Sequence, residues 1–134
     1  MHVHLVFLTK YRREVFTKAI LEDMRAIFLS VCTDFEAKGT FRITAQGNSG
    51  FYFRSNPPAD NPDGFPKGYE AQICNSQDAY TGWLWKPGKP TGKATELLVK
   101  DGEWFGYRIK AVAEHIEFWI NDKLVMTYDD AEYK

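Results

Sequence analysis

Two hydrophobic periods divide the chain. Residues 2–8 (HVHLVFL) are β-branched and aromatic, which predicts a short strand. Lys10–Glu14 interrupts the run, and Thr17 stands where an N-cap is needed for a helix reaching about Cys32. In that helix Ile20, Met24, Ile27, Phe28 and Val31 recur at helical spacing, with Leu21 at the stripe edge, so one side requires burial. From Asp34 the period changes to two. Phe35, Ala37, Gly39, Phe41 and Ile43 alternate with Asp34, Glu36, Lys38, Thr40 and Arg42, the pattern of a half-buried antiparallel strand.

The alternation continues in short segments. Gln46–Gly50 is expected as a turn, and Phe51–Arg54 as a strand with Phe51 and Phe53 on one face and Tyr52 and Arg54 on the other. Asn56–Gly68 contains four prolines and two glycines, and predicts a long surface loop that borders a site. Tyr69–Cys74 follows as a strand, placing Glu70 and Gln72 opposite Tyr69, Ala71 and Ile73. Gly82–Lys93 is expected as a second loop, with Trp83 and Trp85 at its start. Trp104–Val112 turns Phe105, Tyr107, Ile109 and Ala111 inward. His115–Asn121 does the same with Ile116, Phe118 and Ile120, leaving His115, Glu117 and Trp119 outward. Asn121-Asp122 begins a tight turn into Leu124–Tyr128. The expected fold is mainly β, an antiparallel β-sandwich carrying one N-terminal strand and an amphipathic helix.

Composition narrows the function classes. The chain has 134 residues, enough for one domain with a core, and its 44% hydrophobic content excludes a disordered tail. Aromatics at 16% suit both a sandwich core and surfaces that stack on sugar rings. Net charge is −1 with mixed signs in both parts, so nucleic acid is not the expected partner. Two distant cysteines, Cys32 and Cys74, do not form a disulfide scaffold and read as buried free thiols. No run has the length of a transmembrane segment or the form of a signal peptide, so the default expectation is a cytoplasmic chain without membrane partners.

The string HVHLVFLTKYRREVF, with the helix TKAILEDMRAIFLSVC and then TDFEA, resembles the start of the single-tyrosine HUH transposases of minimal insertion sequences. The segments TDFEAKGTFRI, GNSGFYFRSN, GYEAQICN, TGWLW and EWFGYRIKAVAEHIEFWINDKLVMTYDD occur in the order of the 3-keto-disaccharide hydrolase domain. That second resemblance implies a concanavalin- or laminin-G-like sandwich (jelly roll), incomplete at both ends, in a family that is usually exported. The two overlap at Thr33–Ala37, giving the expectation of a chimera: 1–34 a transposase-like fragment, 35–134 the sandwich domain. Uncovered sheet edges in such a domain would favour oligomers.

Candidate chemistry follows from these readings. His2 and His4 share one side of a strand and could hold a divalent ion, but the flanking string places them on the transposase family's first strand, where a plain strand start is expected. Lys10, Arg12 and Arg13 read as phosphate contacts or as a solvated turn. No cofactor is expected, and no divalent metal can be assigned. If their strands share a sheet, Tyr52, Arg54, Glu70, Gln72, Glu117 and Trp119 combine into a polar concave floor.

The hydrolase resemblance makes that floor a glycan site for a small carbohydrate substrate. Glu70 would remove the C2 proton acidified by a 3-keto group, and Arg54 would stabilise the enolate. Asn48 and Gln72 would orient hydroxyls, Tyr52 and Glu117 would bind the substrate from the same floor, and Trp83, Trp85 or Trp119 would stack on the rings. The blander alternatives are an Arg54–Glu70 cross-strand ion pair, Asn48 setting a turn, and a structural His115. Three functions stay open: an enzyme on 3-keto-glycosides (active, or inactive through truncation), a non-catalytic carbohydrate-binding or interaction module, and a transposase-derived nucleic-acid-binding fragment.

Overall fold

The computed structural model describes residues 34–56, 65–86 and 88–133. The predicted first strand and helix, with His2, His4, Lys10, Arg12, Arg13 and Cys32, lie outside the described residues, as does the loop interior at 57–64. Eight strands are described: β1 (Phe35–Arg42), β2 (Asn48–Asn56), β3 (Lys67–Cys74), β4 (Leu84–Lys86), β5 (Lys89–Gly92), β6 (Trp104–Val112), β7 (His115–Ile120) and β8 (Lys123–Asp129). They form two antiparallel sheets, β1-β6-β7-β8 and β2-β3-β4-β5, so the β-sandwich expected from the alternation is the observed architecture.

The inner faces hold the positions that the period of two selects. Phe105, Tyr107, Ile109 and Ala111 of β6 and Ile116, Phe118 and Ile120 of β7 are buried against Phe53, Tyr69, Ala71, Ile73 and Leu84 of the other sheet. Phe53 stacks on Tyr69 at 5.3 Å and meets Phe118 edge-on at 6.1 Å, joining the two sheets through aromatic contacts. β1 is an edge strand, hydrogen-bonded to β6. Its inner residues are therefore half-buried, alternating with exposed ones along its whole length. Asn121 and Asp122, both left-handed at φ 49° and 63°, make the tight β7–β8 turn that their side chains tolerate.

Two expected loops are shorter than the sequence reading. The turn after β1 closes with Gly47 N–H donating to Thr44 O at 2.9 Å, and β2 already begins at Asn48. Much of Gly82–Lys93 is a hairpin, β4–β5, with Gly88 at φ 85° in its turn. Pro90 sits in β5, an outer strand of its sheet, where its missing N–H disrupts no ladder. Three- and four-residue strands containing Pro and Gly carry too little alternation to be read from sequence. Cys74 is a buried free thiol, and its backbone N–H bonds Thr81 Oγ1 at 3.0 Å.

Candidate functional site

The outer face of the β2-β3-β4-β5 sheet carries a cleft of about 650 Å³, within the range of small-molecule sites. The strand pleat places Asn48, Gly50 and Tyr52 of β2 and Gly68, Glu70 and Gln72 of β3 along it. Trp85 and Lys86 of β4 extend the floor, and Phe65, 83% exposed, stands at the rim with Pro66. Register fixes the centre: Tyr52 lies opposite Glu70, and Glu70 lies opposite Trp85, giving one row across three strands.

Glu70 is held from two sides. The Tyr52 hydroxyl donates to Glu70 Oε2 at 2.8 Å. Gly50, across the ladder, leaves the space that the carboxylate fills; a Cβ there would stand 2.6 Å from Glu70 Cγ and 2.7 Å from Cδ. Burial raises the Glu70 pKa above the ordinary carboxylate value, and the Tyr52 hydrogen bond offsets part of that rise. Tyr52 is pushed up to about 12 by its own burial and then by the bond to, and the charge of, Glu70. The pair is therefore a carboxylate with raised basicity and a phenol that stays protonated. Gln72 is 4% exposed, and its buried Oε1 has no hydrogen-bond partner among the described residues.

Among the described residues, Lys86 is the cation bordering the cleft, and its ammonium is already engaged. Nζ donates to Glu132 at 2.7 Å and to Asp130 Oδ2 at 3.1 Å, and the Glu132 bond leads a rise in its pKa. Asp130, 2% exposed, also accepts from the Tyr69 hydroxyl. Burial pushes Asp130 up, but these bonds outweigh it and leave the carboxyl below its usual value. This network ties β3 and β4 to the segment after β8, bracing one end of the cleft floor.

Asn48, Tyr52, Glu70, Gln72 and Trp85 are thus brought together, and four other sequence-predicted site residues are not. Arg54 does not line the cleft. It sits at the irregularity between Phe53 and Asn56 with φ 46°, so its side chain leaves the Tyr52 face that simple alternation assigns it. Its guanidinium, 6% exposed, lies 3.6 Å from Asp34 and 4.1 Å from the Tyr133 ring centre. Glu117 and Trp119 lie on β7, in the other sheet, so the single shared floor expected for them does not exist. Glu117 approaches His115 Nε2 at 3.4 Å, and Trp119 packs under Arg108 at 3.5 Å. Trp83 faces a neighbouring hollow rather than the cleft. Sequence reasoning missed Gly50, Lys86 and Phe65. The signal for Gly50 was present, since it shares parity with Tyr52 in the NSGFYFR string. Among the described residues no three His, Cys, Asp or Glu side chains are grouped to hold a metal ion, and no helix is long and apolar enough to cross a membrane.

The model of the 3-keto-alpha-glucoside-1,2-lyase-like domain matches residues 24–134, beginning upstream of the resemblance at Thr33. A model of IS200-like transposases matches residues 1–43 weakly. Two solved structures from Parabacteroides distasonis ATCC 8503, each named "putative glycosyl hydrolase", share the fold. One aligns with TM-score 0.59 at 20% identity over 75% of this chain and 51% of its own; the other with 0.53 at 26% identity over 70% and 50%. The chain spans about half the length of these two proteins. No curated protein matches.

Proposed function

The chain belongs to the 3-keto-alpha-glucoside-1,2-lyase-like family, and we propose that its cleft binds a 3-keto-α-glucoside and eliminates the group at C1, with Glu70 as the base. The supporting observation is the half-buried Glu70 carboxylate, raised in basicity, placed on the cleft floor and held by Tyr52. A ketone at C3 acidifies the C2 proton. Glu70 takes that proton, and the C2–H electrons pass into the C3 carbonyl to give an enolate. Collapse of the enolate forms the C1–C2 double bond and breaks the C1–oxygen bond, and the departing oxygen takes a proton from water. Addition of water across the double bond completes net hydrolysis.

Tyr52 has a role at each stage. Its O–H orients the ionised Glu70 at 2.8 Å. Once Glu70 is protonated it is a weaker acceptor, and the same O–H can turn to the enolate oxygen. This assigns Tyr52 the charge-stabilising part for which Arg54 is too distant from the cleft lining. Asn48 and Gln72, both on the cleft lining, orient ring hydroxyls, and Trp85, beside Glu70, offers an aromatic face to the ring.

The test is turnover of a 3-keto-α-glucoside by the wild type and Glu70→Gln. Loss of at least about a hundredfold in kcat, with binding of the unoxidised glucoside kept, supports the reading. Wild-type turnover by Glu70→Gln would refute it. Binding without turnover in the wild type would favour a carbohydrate-binding module instead. The weak match over residues 1–43 supports a second proposal, that a transposase-like segment 1–34 is joined to a sandwich domain 35–134. Flanking genomic sequence continuing one family through the joint would overturn it.

A further inference from the structure

Glu70 and Trp85 stand at the thinly paired end of β3 and β4. Among the described residues the two strands share two register pairs, Glu70 with Trp85 and Ala71 with Leu84. Backbone bonds carry the pairing on past Leu84: Gln72 N–H donates to Trp83 O at 2.9 Å, and Gly82 N–H to Gln72 O at 3.1 Å. The Glu70–Trp85 pair is therefore the outer rung. On the other side of β4 the register with β5 shifts between Leu84 and Trp85. A short, irregular ladder opens locally at low cost, so backbone pairing alone holds this rung weakly.

One residue further along each strand, a single carboxylate grips both chains. Tyr69, just before Glu70, donates its hydroxyl to Asp130 Oδ2. Lys86, just after Trp85, donates Nζ to Asp130 Oδ1 at 3.2 Å and to Oδ2 at 3.1 Å. Asp130 is itself anchored to the opposite sheet. It follows β8 directly, and its N–H donates at 2.9 Å to the carbonyl of Glu114, in the turn between β6 and β7. Its Oδ1 also accepts from Glu132 N–H at 3.0 Å. Asp130 is 2% exposed, and neither it nor Tyr69 lines the cleft.

We infer that Asp130 is a positioning residue for the candidate base: from outside the cleft it closes the β3–β4 ladder beside the Glu70–Trp85 rung and fixes that rung to the opposite sheet. The rung's part in the rate rests on the lyase reading; the clamp itself rests on the contacts of Asp130. Three donor groups converge on its two oxygens. Asparagine offers one acceptor oxygen and turns an NH2 toward the others, so it cannot keep them all. The rung is then free to shift by a fraction of an ångström, enough to cost a reacting carboxylate about tenfold in rate.

The experiment pairs kinetics on methyl 3-keto-α-glucoside with amide hydrogen exchange, below the melting range of every variant. Asp130→Asn is expected to lower kcat about tenfold and Tyr69→Phe about threefold, with KM changed less than kcat. Exchange at residues 83–86 should quicken at least about threefold in Asp130→Asn. Ile109→Ala, in the core on β6, is the comparison for general loss of stability. It should keep kcat and the exchange at 83–86 within about twofold of wild type. Wild-type kcat in folded Asp130→Asn, or equal losses in Ile109→Ala, would overturn the assignment. If Asp130→Asn does not fold, Tyr69→Phe carries the same comparison. If the wild type turns over nothing, or Glu70→Gln keeps the full rate, the lyase reading falls by itself. The clamp is then judged by exchange: quickening at 83–86 in Asp130→Asn or Tyr69→Phe but not in Ile109→Ala supports it, and no change, or the same change in Ile109→Ala, overturns it.

Discussion

Gly50→Ala tests the geometry of Glu70 without touching either hydrogen-bonding group of the pair. The new Cβ would stand 2.6 Å from Glu70 Cγ, against about 3.5–4.0 Å for carbon atoms at optimal separation. The carboxylate must therefore move by roughly 1 Å. A misplacement of that size in a reacting group costs about a hundredfold in rate. The Tyr52 bond would also lengthen from 2.8 Å, losing about 0.5–1.5 kcal/mol. Replacing a strand glycine by alanine returns about 0.5–1 kcal/mol in chain entropy, so stability should change by no more than about 1 kcal/mol. Steady-state kinetics on a 3-keto-α-glucoside and a thermal melt measure the two effects. The expected result is a fall of about two orders of magnitude in kcat with nearly the same Tm. Wild-type kcat in a folded Gly50→Ala protein would refute the placement of the base.

Four further outcomes follow from the same contacts. Tyr52→Phe removes the bond that lowers the Glu70 pKa, so the acid limb of a pH–rate profile should move to higher pH. Because the folded-state Glu70 pKa is raised, the stability it contributes is full below the unfolded value of about 4.3 and is lost as pH rises through the folded value; Glu70→Gln should therefore melt higher than wild type at pH 7 and match it near pH 4. Tyr69→Phe removes a bond to the buried Asp130 and should cost about 1.5–3 kcal/mol in denaturant melts. Asp130 is depressed when folded, so this deficit should fade as pH falls through its folded pKa. Phe118→Ala, at a fully buried ring between the sheets, should cost about 3–5 kcal/mol.

The core was legible because burial and the strand period coincide. In β6 and β7 every second residue is both apolar and inward, so pattern and packing give one answer. Glu70 and Gln72 were legible as a pair for the same reason, as polar residues opposite Tyr69, Ala71 and Ile73. Arg54 was not, because one left-handed residue at the β2 irregularity reverses the parity that alternation assumes. Glu117 and Trp119 were assigned correctly to an outward face, but alternation carries no information on which sheet a strand joins. Lys86 was missed because its strand has three residues and its partners, Asp130 and Glu132, lie more than forty residues downstream. The basicity of Glu70 depends on burial and on Tyr52, and its position on the space left by Gly50, all of which exist only once the strands pair.

The central claim is that Glu70 removes the proton at C2. Proton NMR of methyl 3-keto-α-glucoside in D2O follows that step independently of product release. Wild-type protein should consume the substrate with loss of the C2 signal and with deuterium at C2 in the recovered product, while Glu70→Gln leaves the signal intact over the same period. Loss of the C2 signal at the wild-type rate with Glu70→Gln would contradict the account.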